Sequence, residues 1–340
     1  ATTYSYTVRA FDVAGNLSGY SANVSATTQP ASTTWTPPIG IPVPPFGINE
    51  VPGAFTHYVD NTHPAATDTS NPNGSPTRPR LTIPTSLPAG TVVEVRGGPY
   101  TIGNAIWTAS GTQARPVFIK GVGKPVFRGS LTYLSLRGSY VIVDGLVLDG
   151  EALYFGGGPS NIAVRNCEIK NYSPSSNDSA IGLDDATNIV LYNNDIHNNG
   201  NPQSATEIDI HGIKPWSGSS NVWIVDNHIH DNGGDAIQTG DANAPEPWAR
   251  LLYIGRNRMH GDRENAIDLK RSRDVIVSQN EMYDYDRTSS SSGDIGVVHD
   301  DATRVWFLAN HLYNGEYGNW NSGSTDYYAI GNLIHDVKHL

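Results

Sequence analysis

The sequence predicts an all-β solenoid, a parallel β-helix filling most of the chain. Three observations lead there. First, one twelve-residue pattern recurs eight times: SYVIVDGLVLDG from Ser139, NIAVRNCEIKNY from Asn161, NIVLYNNDIHNN from Asn188, NVWIVDNHIHDN from Asn221, LLYIGRNRMHGD from Leu251, DVIVSQNEMYDY from Asp274, RVWFLANHLYNG from Arg304 and DYYAIGNLIHDV from Asp326. The spacings are 22, 27, 33, 30, 23, 30 and 22 residues, the range in which repeats mean stacked structural units. Second, apolar and polar residues alternate within each repeat, which is the period of strands and not of helices. Third, the seventh position is Asn in six repeats: Asn194, Asn227, Asn257, Asn280, Asn310 and Asn332. A buried amide needs a partner. A chain that stacks on itself supplies one in the next coil, so the column reads as an asparagine ladder. Cys167, the one cysteine, takes the ladder position of its coil and is expected to be a small buried side chain.

The elements before the ladder follow in order. Residues 1–29 carry TTYSYTVRAFDVAGN, then Ser-rich residues and a final strand. They resemble the last two strands of a fibronectin type III module, with Tyr4 or Tyr6 as its corner tyrosine. A lone strand pair is marginally stable, so the fragment is expected to be the tail of a module cut from a longer protein. Residues 30–52 hold seven prolines and read as a semi-rigid linker. Trp35, Ile39, Ile41, Val43 and Phe46 are costly to leave in water, so the segment could also lie along its neighbour. The solenoid is expected over residues 53–340. Its first strand is His57–Asp60, PAGTVVEVRGGPY forms the first coil and PVFIKGVGKPVFRG the next. The last repeat shows no polar cap of the kind that closes a solenoid, so the C-terminus is expected to be cut as well.

Composition narrows the function. Net charge is −11, which argues against nucleic acid as a partner. No apolar run is long enough for a transmembrane helix. Few lysines and abundant Asn, Asp, Ser, Thr and Gly suit a secreted protein acting on polysaccharide. No zinc-spaced His/Cys cluster, nucleophile elbow or phosphate loop occurs.

A further strand is expected after each ladder turn: SAIGLDDATN, HGIKPWSGSSN, DAIQTGDAN, NAIDLKRSRD and DIGVVHDDATR. With Ile181, Ile213, Ile237 and Ile267 inward, alternation places Gly182, Lys214, Gln238 and Asp268 outward. Two residues on, Asp184, Trp216, Gly240, Lys270 and Asp300 form a second outward column. Loops 200–209, 241–250 and 284–293 would wall a groove suited to a polymer.

The coil GDRENAIDLKRSRDVIVSQNEMYD resembles the catalytic coil of right-handed β-helix polysaccharide lyases of families 6 and 9. That resemblance implies a right-handed helix, a lysine that abstracts a proton, acidic calcium ligands, an acidic polysaccharide partner, a monomer and export from the cell. Lys270 falls at the family's base. Glu264, Asp268 and Asp241 are the implied Ca2+ ligands. The match lacks an Arg on the next coil, where Val298 and Asp300 are expected, and a double-Asp motif before Lys270.

Elimination removes the proton next to a uronate carboxylate, which needs a base and charge neutralisation. A lysine serves as base when neighbouring cations lower its pKa, and Lys214, Arg263, Arg271 and Arg273 are candidates for that. Lys214 and His211 are further catalytic candidates. Trp216, Gln238, Arg273 and His299 are candidates for holding substrate, and His299 is also a candidate acid or base. Against these stand plainer roles: Lys270 paired with Asp268, Trp216 capping the sheet, and the histidines of the IH and MH pattern (His197, His228, His230, His260, His335) as structural. Asp184–Asp185 and Asp300–Asp301 read as polar turns. Two other functions fit the same fold: a glycoside hydrolase pairing Asp268 with Asp241 or Glu264, and a carbohydrate-binding β-helix or C5 epimerase.

Overall fold

The computed structural model describes residues 3–7, 17–27, 40–288 and 291–339. Thr3–Tyr6 pairs antiparallel with Val24–Thr27. The side chains of Tyr4 and Tyr6, and Trp35 and Ile39, lie outside the described residues.

Each regular coil contains three strands, one more than the repeats suggested. The register NIVLYNNDIHNN supplies two of them, Thr187–Tyr192 and Asp195–His197. The bend between them lies at the ladder. Asn193 has φ 52°, and the equivalent Asn166, Asp226, Arg256, Gln279 and Ala309 also sit in the left-handed region. One such residue at this bend turns the chain without a loop. The third strand follows, as in Ile210–Pro215. Strands stack in parallel: Ile189 on Val222, Ile196 on Ile229, and Ile213 on Ile237. Columns of Ile, Leu and Val from all three sheets fill the interior.

The ladder is continuous. Asn194, Asn227, Asn257, Asn280 and Asn310 each donate Nδ2 to the Oδ1 of the next ladder Asn at 2.9–3.0 Å. Each also donates to a carbonyl of the preceding coil, as Asn227 Nδ2 does to Leu191 O at 2.9 Å. Cys167 N donates to Asn194 Oδ1 at 3.0 Å, and burial pushes its thiol up to about 11. Five residues along each repeat runs a second ladder that the sequence reasoning missed. Asn199 Nδ2 donates to Asn232 Oδ1, Asn232 Nδ2 to Asp262 Oδ1, and Tyr285 Oη to Asp262 Oδ2.

The boundary at residue 53 moves. The compact solenoid unit begins at Gly40, so residues 40–52 belong to it. The middle residues of the first-sheet strands form an outward apolar column, Phe118, Ile142, Ala163, Val190, Trp223, Tyr253 and Ile276, and Phe46, Ile41 and Ile48 cover it. Gly47 has φ 105°, and a Cβ there would lie 2.4 Å from Ala163 Cβ. Trp223 Nε1 donates to Pro42 O at 3.0 Å, and the Arg165 guanidinium donates to Gly47 O, Ile48 O and Glu50 O, each at 2.9 Å. Val43 is not covered and is 78% exposed. Burial of apolar area is what holds this proline-rich segment down.

Candidate functional site

The third sheet carries the groove. Its register confirms the first outward column: Gly182 pairs with Lys214, Gln238 with Asp268, and Asp268 with Val297. The second column is corrected. Ile267 pairs with Gly296, one residue earlier than a place for Asp300 beside Lys270 requires, so His299 and not Asp300 stands there, and Val298 faces inward against Leu269. Strands Asp178–Leu183, Ile210–Pro215 and Ile237–Thr239 end before Asp184, Trp216 and Gly240. Asp185, Asp300 and Asp301 have positive φ, in keeping with polar turns.

Around Lys270 the charges are paired. Its Nζ lies 2.7 Å from Asp268 Oδ2, and His299 Nε2 lies 2.9 Å from Asp268 Oδ1. Burial alone would lower Lys270, but the carboxylates of Asp268 and Asp235 outweigh it and raise its pKa. The expectation that neighbouring arginines depress Lys270 is therefore wrong. Arg263 is fully buried and bonded to Asp209 and Glu264. Arg271 Nη1 donates to Ala244 O at 3.2 Å, and Arg273 is bonded to Glu246 and lies 5.2 Å from the Trp248 ring. Burial also opposes charge on His299, but Asp268 and Asp300 raise its pKa.

His211 is buried, with Nδ1 3.2 Å from Asp235 Oδ2, so it does not face the groove. Asp235 also accepts from Gln238 Nε2 at 3.1 Å and Asn265 Nδ2 at 2.7 Å. Burial works against charge on Asp235, yet His211 outweighs it and lowers its pKa. Glu264 responds oppositely. Burial, with the charges of Asp235 and Asp209, pushes it up to about 9.

Lys214 is the amine with the depressed pKa. Burial lowers it and Lys270 adds to the shift, against Asp241, Asp235 and Asp209. Its Nζ lies 5.1 Å from the Trp216 ring centroid. Both residues line a cleft of about 500 Å³ with Tyr133, Tyr154, Tyr172, Asp178 and Asp184. Tyr154 Oη donates to Asp184 Oδ2 at 3.0 Å and Tyr172 Oη to Asp178 Oδ2 at 2.6 Å. The three tyrosines escaped the sequence reasoning, which began the groove one coil too late. Tyr154 follows Leu153, which pairs with Ile181, so extending the inward column backward would have reached it.

The implied calcium ligands are not brought together. Asp241 accepts from Asn243 N within its own turn at 2.7 Å. Both Asp268 oxygens hold cations. Glu264 instead converges with Glu207 and Asp209, where Arg263 already bonds the group. Calcium wants six to eight oxygens, and these residues do not offer them.

A family described as right handed β-helix region matches residues 134–248. The solenoid is a right-handed parallel β-helix. Among solved structures, the Dettilon tailspike protein is similar at 15% identity and TM-score 0.54, over 74% of this chain and 59% of that one. The pectate lyase Pel9A is similar at 13% identity and TM-score 0.48, over 85% and 79%. A rhamnogalacturonan lyase is similar at 12% and TM-score 0.42, over 82% and 74%. The tailspike likeness carries the fold and nothing finer. No curated protein matches the chain.

Proposed function

We propose that this chain cleaves a uronate-containing polysaccharide by β-elimination, with Lys214 as the base. The observation that carries this is the depressed Lys214 amine beside Trp216 in a tyrosine-lined cleft. A lowered pKa leaves more of the amine neutral near physiological pH, as a general base requires. Lys214 takes the C5 proton, the C–H electrons form the C4–C5 double bond, and the C4–O bond breaks. The departing oxygen takes its proton from solvent. Lys270, paired with Asp268, is assigned to holding the uronate carboxylate, and Trp216 to packing on a sugar ring. The resembled polysaccharide lyases place their substrate outside the cell, and the same is proposed here.

Hydrolysis with Asp268 as one of its two carboxylates is less well served, because both must reach the sugar; Asp178 and Asp184, which line the cleft, each accept from a tyrosine hydroxyl. Asp235 is wholly buried and Asp268 is 4% exposed and doubly paired. Calcium has no step here, so prior treatment with a chelator is expected to leave turnover unchanged.

The test is a panel of pectate, alginate, glycosaminoglycan and neutral glycans, read by near-ultraviolet absorbance and by reducing ends. Elimination raises both. Reducing ends without absorbance would make the chain a hydrolase. Lys214→Ala should lower elimination by about 10²–10⁴-fold, and a variant keeping more than about a tenth of the rate would place the base elsewhere.

A further inference from the structure

We propose a transition-metal site on the outer face of the second sheet, built from His228, His230 and His260 with Asp195, and suited to zinc. It lies on a different sheet from the groove. His228 and His230 stand two apart on the strand His228–His230 and so share its outward face. Parallel stacking sets Asp195 beside His228 and His260 beside His230. One donor atom from each of the three imidazoles lies within 4.8 Å of the others.

Several nitrogen and oxygen atoms here face one another without a proton for each. Asp231 Oδ2 lies 2.7 Å from His230 Nδ1, so that nitrogen carries the proton. In the neutral ring, Nε2 then keeps its lone pair. That nitrogen faces Asp195 Oδ1 at 3.3 Å; burial opposes charge on the ring, but Asp195 and Asp231 raise its pKa, so a metal ion here takes the place of a proton. Asp195 Oδ1 also lies 3.3 Å from His228 Nδ1, yet it is a buried atom with no hydrogen bond of proper alignment. His228 Nε2 faces His260 Nε2 at 2.9 Å, where two neutral rings can share only one proton. His228–His230 and His230–His260 stack face to face at 4.1 and 5.0 Å, so the rings turn toward a divalent cation as it takes one nitrogen from each. Three imidazoles and a carboxylate suit zinc, which binds imidazole nitrogen at about 2.0–2.1 Å in four-coordinate sites. Asp231 on His230 Nδ1 supplies the outer carboxylate that orients a metal-bound imidazole.

The same face carries an internal control. His311 Nε2 lies 2.8 Å from His335 Nε2, but the stacked neighbour of that pair is Tyr313 and not a third histidine. Two imidazoles alone make a poor zinc site, so His335→Gln should leave binding unchanged.

The full chain, stripped with a chelator and dialysed, is titrated with Zn2+ by calorimetry and with Co2+ by visible absorption. One Zn2+ per chain is expected, with the d–d bands of a low-coordinate Co2+ site. His228→Gln and His260→Gln should each weaken binding about tenfold or more and remove the Co2+ bands. Asp195→Asn, which keeps the side-chain volume, should weaken it too. Melting temperatures in metal-free buffer confirm that the variants are folded. The site is refuted if the folded wild type shows no saturable Zn2+ binding. It is refuted equally if His228→Gln and His260→Gln bind as wild type does, or if His335→Gln abolishes binding.

Discussion

Asn257→Ala tests the ladder that holds the groove's coils in register. The Asn257 side chain makes four hydrogen bonds. Its Nδ2 donates to Ile224 O at 2.8 Å and Asn280 Oδ1 at 3.0 Å, and its Oδ1 accepts from Asn227 N at 2.9 Å and Asn227 Nδ2 at 3.0 Å. Truncation does not orphan every partner. Asn227 Nδ2 keeps Leu191 O, and Asn280 Oδ1 keeps the Asn257 backbone N–H. The Asn227 backbone N–H loses its acceptor, at roughly 1–3 kcal/mol for a buried donor, and the other lost bonds add roughly 0.5–1.5 kcal/mol each. Asn257 is 1% exposed and Asn227 2%, so bulk water cannot reach them. These sum to about 2.5–7.5 kcal/mol, and a loss nearer the lower end is expected if a single water enters the space. Urea unfolding followed by circular dichroism measures the loss, and amide exchange at Asn227 should accelerate locally. A loss below about 0.5 kcal/mol with unchanged exchange would refute the ladder as a source of stability.

The pH profile of elimination should follow Lys214. Since the base must be neutral, kcat/KM should rise with pH, through a midpoint below the ordinary lysine value because burial lowers this amine; a rate that falls over that range would rule it out. Lys270→Ala, by contrast, should raise KM more than it lowers kcat, and an equal loss in both mutants would put the two amines in one step. Burial pushes Asp262 up to about 7. A raised carboxyl favours the fold when protonated, so its contribution is complete below the unfolded value of 3.8 and is lost as pH rises through about 7. Asp262→Asn should therefore be the more stable form at pH 8 and lose that advantage toward pH 4, as read by melting temperature; a constant difference across the range would refute the shift. Deleting residues 1–39 should leave the melting temperature unchanged. Deleting residues 1–50 should lower it, because it strips Phe46 from its apolar column and three carbonyls from Arg165.

The repeats carried the fold because a solenoid's rule is local in sequence and periodic: the Asn that closes one coil must recur in the next. The same regularity made a second ladder at Asn199, Asn232 and Asp262 equally legible. It was passed over because Asp262 breaks the residue identity while keeping the acceptor oxygen that the position requires. Side-chain environment was less accessible. Lys214 and Lys270 look alike in HGIKPW and AIDLKRS, and what separates them lies on other coils. Asp268 is two residues before Lys270, but Asp235, which also holds its charge, belongs to the coil before. Lys214 has no acid within ion-pair distance among the described residues, so burial decides its pKa. The one-residue error at Asp300 arose in the same way. In DIGVVHDD, Gly296 takes the position that Ile holds in the coils before, and pairs with Ile267. A glycine there gives the apolar pattern nothing to align on, and an alignment slipped by one residue sends each side chain of the strand to the opposite face. His299 reaches the groove because the hydrogen-bond ladder, and not the apolar pattern, sets the register at that coil.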